Sequence, residues 1–294
     1  MTDRNSVSAP RPAFGMRTFH HRIGLVLLLA LPAASAAQLG ISGSQILQQG
    51  EAGISGTPAV LEQFGRALAA GDFNGDGALD LAMGTPRESI APTSDAGSVT
   101  VVYGGTTGLL APNSEVWDLN GPAGQSAGTG DRFGEALVAA DFDHDGFADL
   151  AVGIPYRDVV AADFSIRPRA GAVLVLYGSA GGLGEAGAQF WRQGAGGVVG
   201  ALEEDDFFGQ SLGAGDFDGD GHADLAVGVP GEDVGAIGNA GAVNVLYGSA
   251  AGLSTAPGTT ANSLWTQGDL GSSLDEASDE FGHALVAGDW NDDG

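Results

Sequence analysis

Residues 133–155 read FGEALVAADFDHDGFADLAVGIP, and this block decides the fold because the chain repeats it. Residues 64–86 read FGRALAAGDFNGDGALDLAMGTP, and residues 208–230 read FGQSLGAGDFDGDGHADLAVGVP. A partial fourth copy, FGHALVAGDWNDDG, covers residues 281–294. The leading Phe residues are 69, 75 and 73 positions apart. A block that returns at so regular a period indicates a repeat architecture in which each copy is one supersecondary unit.

The rest of each unit repeats as well. GSVTVVYG begins at residue 97, GAVLVLYG at 171 and GAVNVLYG at 241, and each is followed by a Gly-Leu pair and then by a segment with a Trp. Apolar, β-branched segments bounded by Gly predict strands. Each unit then has about four strands and no helical period, which is the make-up of a propeller blade. The predicted fold class is all-β, a β-propeller of four-stranded blades, with three full repeats and a partial fourth.

Several apolar positions recur with the block and predict the core. The Phe of each FG pair is expected to be buried, together with Leu68, Leu212 and Leu285. The recurring Tyr and Trp residues are expected to pack between blades; these are Tyr103, Tyr177, Tyr247, Trp117, Trp191 and Trp265.

Each of the three complete copies contains the acidic pattern D-x-[DN]-x-D-G-x-x-D, and the fourth copy contains its first six positions. Short oxygen-bearing side chains at positions 1, 3, 5 and 9 can converge when the loop curls, and Gly at position 6 permits the turn that points the carbonyl of position 7 inward. The candidate metal ligands are Asp72, Asn74, Asp76, Ala78 and Asp80 in the first copy; Asp141, Asp143, Asp145, Phe147 and Asp149 in the second; Asp216, Asp218, Asp220, His222 and Asp224 in the third; and Asp289, Asn291 and Asp293 in the fourth. Ala78, Phe147 and His222 would contribute their carbonyls.

The donor set favours Ca²⁺, at about one ion per complete repeat. The chain has no Cys and no regularly placed His, so only hard oxygen donors are available, which disfavours Zn²⁺ and Cu²⁺. Mg²⁺ prefers a strict octahedron. An EF-hand is rejected because its position 12 is a Glu between two helices, whereas position 12 here is Met83, Val152 or Val227 between strands. The alternative is that the Asp residues only form solvated turns.

The block FG…GD…D-G-D-G…D-L-A-x-G-x-P resembles the FG-GAP repeat of integrin α-chains and of secreted bacterial proteins. The resemblance implies a seven-bladed propeller with calcium in the loops of some blades, and a role in cell-surface or matrix adhesion. Seven units of this size need roughly 500 residues, so we interpret the 294 residues as a fragment. Its segments are a signal peptide at 1–37, a closing strand and lead-in at 38–63, repeats at 64–132, 133–207 and 208–280, and a truncated repeat at 281–294.

The N-terminus has the pattern of an export signal. Arg22 precedes an apolar run at 23–31, and Ala34-Ser35-Ala36 provides a cleavage site. The run is too short to span a bilayer, which takes about 20 residues. Met16 is a possible true start. We therefore expect a mature chain that is secreted, extracellular or at the cell surface, with the periplasm as a further possibility. The segment SQILQQG at 44–50 resembles NSLWTQG at 262–268 and predicts a strand that closes the final blade.

The function expected from these features is non-catalytic interaction with an extracellular protein or glycan, with structural calcium. The formal net charge of −26 argues against a nucleic-acid partner. We find no nucleophile or metalloprotease motif, so we expect no enzyme activity. The alternative is the propeller portion of a larger secreted hydrolase or lyase. The variable loop at 157–169, with Arg157, Arg167 and Arg169, is a candidate anion or protein contact.

Overall fold

The computed structural model of the chain describes residues 45–51, 53–109, 112, 114–255, 263–271 and 275–288. The chain divides into two units, Met1–Ile46 and Leu47–Gly294, and only residues 45 and 46 of the first unit are described. The expected signal peptide and the fourth-copy ligands Asp289, Asn291 and Asp293 lie outside the described residues. Within the described ranges, no helix has the length and apolar character required to cross a membrane.

Each complete repeat folds into a four-stranded antiparallel sheet whose strands neighbour one another in chain order. The first sheet consists of β1 (Leu68–Gly71), β2 (Asp80–Thr85), β3 (Ser98–Val102) and β4 (Glu115–Trp117). The second consists of β5 (Leu137–Ala140), β6 (Asp149–Ile154), β9 (Ala172–Tyr177) and β10 (Gly184–Trp191), with the hairpin of β7 (Val159–Val160) and β8 (Ile166–Arg167) inserted. The third consists of β11 (Leu212–Gly215), β12 (Asp224–Val229), β13 (Ala242–Leu246) and β14 (Ser263–Trp265). Two short 3-10 helices cover Pro122–Gly124 and Gln267–Leu270. The four strands predicted for each blade are confirmed.

The hydrophobic core lies between consecutive sheets. One cluster joins Val99 and Val101 of the first repeat to Phe133 and Leu150 of the second. A second cluster joins the second repeat to the third, and Phe208 is fully buried in it. Burying a Phe side chain contributes about 1.5–3 kcal/mol. Because each cluster contains residues of two repeats, each sheet buries its apolar face only by packing against a neighbouring sheet.

The outermost repeats depart from the predicted core. Leu68 is 43% exposed, although it was predicted to be buried. The equivalent Leu137 and Leu212 pack against the preceding repeat, whereas no repeat precedes Leu68 among the described residues. The same reasoning applies at the other end, where Trp265 is 47% exposed while Trp191 packs into the cluster shared by the second and third repeats.

The FG pair and the Gly of D-L-A-x-G meet at each junction between repeats. A Cβ on Gly84 would collide with the carbonyl oxygen of Gly134, and a Cβ on Gly153 would collide with that of Gly209. The third junction has the same contact between Gly228 and the carbonyl of Gly282. A side chain at these positions would force the sheets apart, which explains why Gly recurs there.

Residues 45–50 do not form the predicted closing strand. Leu47 is nevertheless buried, and it packs with Ile54 against Leu81, Met83 and Val102 of the first repeat. Each of the three sheets already contains its own fourth strand, so none of them is the blade that this segment was predicted to complete. Leu47 covers the outer apolar face of the first repeat instead.

Candidate metal centres

Each acidic loop connects the first two strands of its sheet and is closed by the Asp at its ninth position. Asp149 is fully buried. Its Oδ2 accepts the N–H of Phe142 at 2.8 Å, and its Oδ1 accepts the N–H of Gly178, which follows β9, at 2.9 Å. The same pair of bonds recurs in the other repeats, from Phe73 and Gly104 to Asp80, and from Phe217 and Gly248 to Asp224. The ninth Asp therefore ties the loop to the third strand.

Backbone hydrogen bonds shape the interior of the loop. Asp141 accepts the N–H of Asp145 through Oδ1 at 3.1 Å and that of Gly146 through Oδ2 at 2.9 Å. Gly146 has a φ of 94°, which confirms the turn predicted at position 6. Phe147 donates its N–H to Asp145 Oδ1 at 3.0 Å. The equivalent bonds form in the first and third loops.

The second and third loops bring three carboxylates together. Asp141, Asp143 and Asp149 each place an oxygen within 4.8 Å of the other two, and so do the three equivalent residues Asp216, Asp218 and Asp224. Two oxygens that bind one Ca²⁺ at about 2.4 Å can be at most about 4.8 Å apart. Both groups fit a shared cation.

The remaining predicted ligands do not join these groups. Among the described residues, Asp72, Asp76 and Asp80 do not form such a group, and the first loop has Asn74 at its third position. The fifth-position Asp145 and Asp220 also lie outside the carboxylate groups. The ligand roles of these residues, and those of the carbonyls of Ala78, Phe147 and His222, stay predictions.

The electrostatics of the loops favour binding of a positive charge. Burial raises the pKa of Asp149 to about 7, and the neighbouring Asp143 and Asp141 add to the rise. Burial likewise raises the pKa of Asp224 to about 6, again with a contribution from its acidic neighbours. A cation at the centre of either group would favour the ionised carboxylates and so offset both the cost of their burial and their mutual repulsion.

The loops also connect one repeat to the next. The carbonyl of Asp72 in the first loop accepts the N–H of Ala148 in the second at 2.9 Å. The carbonyl of Phe142 in the second loop accepts the N–H of Ser249 in the third repeat at 3.2 Å. The shape of one loop is therefore coupled to the position of the following blade.

The three cations of the variable loop at 157–169 are all used in ion pairs. Arg157 is bound to the carboxylate of Asp131 and to the carbonyl of Ser126. Arg169 forms a bidentate ion pair with Asp205. Arg167 Nη2 lies 3.7 Å from Asp163 Oδ2. Acidic neighbours compensate these charges, so the predicted cationic contact surface for an anion is not formed.

The acidic stretch before the FG pair, such as 203–206, was interpreted from the sequence as a solvated rim, but one recurring position in it is buried. Asp131 and Asp206 stand two residues before the FG Phe and are almost completely buried. Each accepts the N–H three residues upstream, from Gly128 and Glu203 respectively, at 2.6 Å. Alignment of the repeats on the FG pair would have revealed this position.

Comparison with known proteins identifies the repeats. The FG-GAP repeat model matches residues 64–102, 133–176 and 208–246. The chain is 33% identical over 174 residues to Integrin alpha-PS5 of Drosophila melanogaster, an alignment that covers 58% of this chain and 15% of that protein. It is 31% identical over 181 residues to Integrin alpha-5 of Xenopus laevis, with 58% and 15% covered. It is 34% identical over 168 residues to Phosphatidylinositol-glycan-specific phospholipase D of Rattus norvegicus, with 57% and 18% covered.

The matched segments begin at the three complete FG blocks and end in the third strand of each sheet. The chain spans less than a fifth of the length of these relatives. The repeated sequence block, the sheet topology and the family-model match all indicate the same repeat unit. The chain therefore contains three FG-GAP repeats that are similar in sequence to segments of integrin α-chains, and each of them folds as a four-stranded β-propeller blade.

Proposed function

We propose that this chain is a secreted, calcium-stabilised β-propeller module that binds an extracellular protein or glycan and does not itself catalyse a reaction. The observation that carries the calcium assignment is the convergence of Asp141, Asp143 and Asp149, repeated by their equivalents in the third repeat. Ca²⁺ is the cation that suits several carboxylate and carbonyl oxygens in a flexible loop. The proposed occupancy is about one ion per complete repeat.

The proposed role of the ion is structural. The loop that would hold it begins at the end of the first strand and finishes at the buried Asp of the second. Its backbone also bonds to the following repeat through Phe142 and Ser249. An ion that orders the loop would hold two strands and a blade junction together. With Kd near 10⁻⁴ M and millimolar Ca²⁺, each site would stabilise the fold by about 1.4 kcal/mol.

Calorimetric Ca²⁺ titration of the EDTA-treated 294-residue chain, paired with melting curves, tests this assignment. We expect binding of about one ion per complete repeat and a higher melting temperature with Ca²⁺. Asp143→Ala should remove one bound ion, because Asp143 is one of the three converging carboxylates. Asp218→Ala should do the same in the third repeat.

Asp163→Ala is the matched control. Asp163 is an exposed carboxylate on the β7–β8 hairpin, away from the three acidic loops. This variant loses the same charge and should bind as many ions as the unaltered chain. Absence of Ca²⁺ binding by folded protein would refute the metal assignment and leave the Asp residues as turn formers.

The binding role rests on less specific features. Trp265 is half-exposed where no described repeat packs on it, and an exposed aromatic face of this kind can bind a sugar or a protein. The alternative is a non-catalytic propeller attached to a larger secreted hydrolase or lyase, which the likeness to a phospholipase D favours. Glycan-array binding by the purified chain that is lost in Trp265→Ala would support the proposed binding role. Binding that survives this substitution would argue against Trp265 as the contact.

A further inference from the structure

The buried carboxylate before each FG pair lies beside a residue whose charge changes from repeat to repeat. That residue stands two positions after the Pro that ends the block, and it is Arg157 in the second repeat and Glu232 in the third. In the second repeat, the Arg157 guanidinium binds Asp131 and the carbonyl of Ser126. The chain thus supplies its own cation to the buried carboxylate.

The carboxylate is kept before the third FG pair, as Asp206, but no arginine in the described part of the chain pairs with it. Asp206 is fully buried and Glu232 is 3% exposed. Their backbones are adjacent, since the N–H of Gly231 donates to the carbonyl of Asp206 at 3.1 Å. Gln193, also fully buried, donates its Nε2–H to Glu232 Oε2 at 2.5 Å. We call Gln193, Asp206 and Glu232 the Asp206 cluster.

Two oxygens of the Asp206 cluster are buried without a hydrogen-bond donor in the described part of the chain. They are Asp206 Oδ1 and Gln193 Oε1. A buried polar atom without a partner destabilises the fold, so the retention of two of them in one cluster calls for an explanation. In the first repeat the position of Gln193 is taken by the apolar, fully buried Leu119, which needs no partner.

The charged groups around the cluster are themselves acidic. Burial raises the pKa of Asp206 to about 8, and Glu232, Glu203 and Asp233 raise it further. Burial also raises the pKa of Glu232 to about 7, with Glu203 and Asp233 again adding to the rise.

The arginines of this region are engaged elsewhere. Arg169 pairs with Asp205, Arg167 donates to the carbonyl of Leu202 at 3.2 Å, and Arg192 donates to the carbonyl of Gln193 at 3.4 Å. None of these guanidinium groups takes the place that Arg157 has in the second repeat.

We propose that the Asp206 cluster binds a hard divalent cation, with Asp206, Glu232 and the Gln193 amide oxygen as ligands, at the position that the Arg157 guanidinium occupies in the second repeat. Two carboxylates and an amide oxygen are a donor set for Ca²⁺ or a similar hard ion. The site shares no residue with the acidic loops. Cation binding at the Asp206 cluster can therefore be tested separately from Ca²⁺ binding in those loops.

Glu232→Gln tests the proposal, with Ca²⁺ as the probe. Calorimetric titration of the full chain should show one bound ion fewer than for the unaltered chain, while the loop sites are retained. Glu204→Gln is the matched control, because Glu204 is a neighbouring carboxylate that is 61% exposed. The control should bind the full number of ions.

Glu232→Arg is the second variant, and it imitates the second repeat. We expect it to melt about 2–4 °C higher than the unaltered chain in EDTA, because the new guanidinium compensates Asp206. We also expect it to bind one ion fewer. An unchanged number of bound ions in Glu232→Gln would overturn the proposal. So would a stability difference between Glu232→Gln and the unaltered chain that varies with pH but not with Ca²⁺, since the cluster would then hold a proton.

Discussion

Replacing Tyr177 by Phe tests whether single side-chain hydrogen bonds hold neighbouring blades together. The hydroxyl of Tyr177, in the second repeat, accepts the N–H of Leu253 in the third repeat at 2.9 Å. It also donates to Gln189 Oε1 at 2.6 Å. Leu253 is 2% exposed, so water cannot readily replace the lost acceptor. A buried N–H without a partner costs about 1–3 kcal/mol, and we expect Tyr177→Phe to lower the free energy of unfolding by about 2 kcal/mol.

Tyr247→Phe provides the matched control. Tyr247 stands at the same position of the third repeat, but its hydroxyl bonds Ser263 Oγ within its own repeat at 3.1 Å. Its removal should cost about 1 kcal/mol or less. Tyr103→Phe should resemble Tyr177→Phe, because its hydroxyl accepts the N–H of Leu183 in the second repeat at 3.2 Å.

Urea unfolding of the three variants in saturating Ca²⁺, followed by tryptophan fluorescence, measures these differences. The reasoning predicts the largest loss for the two tyrosines that bond to the following repeat. If Tyr247→Phe were as destabilising as Tyr177→Phe, the hydroxyl bonds between repeats would not be the source of the effect.

Two further predictions concern blade packing and pH. Gly153→Ala should destabilise the fold by about 1–3 kcal/mol, because its Cβ would meet the carbonyl of Gly209; Gly181→Ala, whose nearest neighbour would be 3.7 Å away, should be close to neutral in the same urea assay. In EDTA, the melting temperature should fall as pH rises from about 5 to about 8. Asp206 and Glu232 have raised pKa values, so the native state holds their protons more tightly than the unfolded chain does, and that stability is lost as pH rises through about 7 and 8. A melting temperature that increased over this range in EDTA would contradict the second prediction.

Much of the fold and of the candidate site was predictable because both are local. The pattern from Asp141 to Asp149 specifies a strand end, a turn with Gly146 at positive φ, and the start of the next strand, all within nine positions. Repetition of the block strengthens such a local prediction, since the same residue types recur at the same positions in each copy. The four strands of each blade followed from the same reasoning.

Contacts between blades were less predictable. Leu212 is partly buried and Leu68 is exposed because a repeat precedes Leu212, whereas none precedes Leu68 in the described structure. The loop arginines were expected to be free for a partner, yet Arg157 is folded onto Asp131, which precedes it by 26 residues. Neither outcome is encoded in the neighbouring residues.

The sequence by itself determined the blade and the acidic loop, because hydrogen-bonded turns and alternating strands depend on residues close together in the chain. Tertiary structure alone decided which Tyr hydroxyl reaches the next repeat, which carboxylates converge within reach of one ion, and that none of the described arginines pairs with Asp206. These depend on how one sheet is placed against the next, and that placement arises from burial of apolar surface, which is not directional.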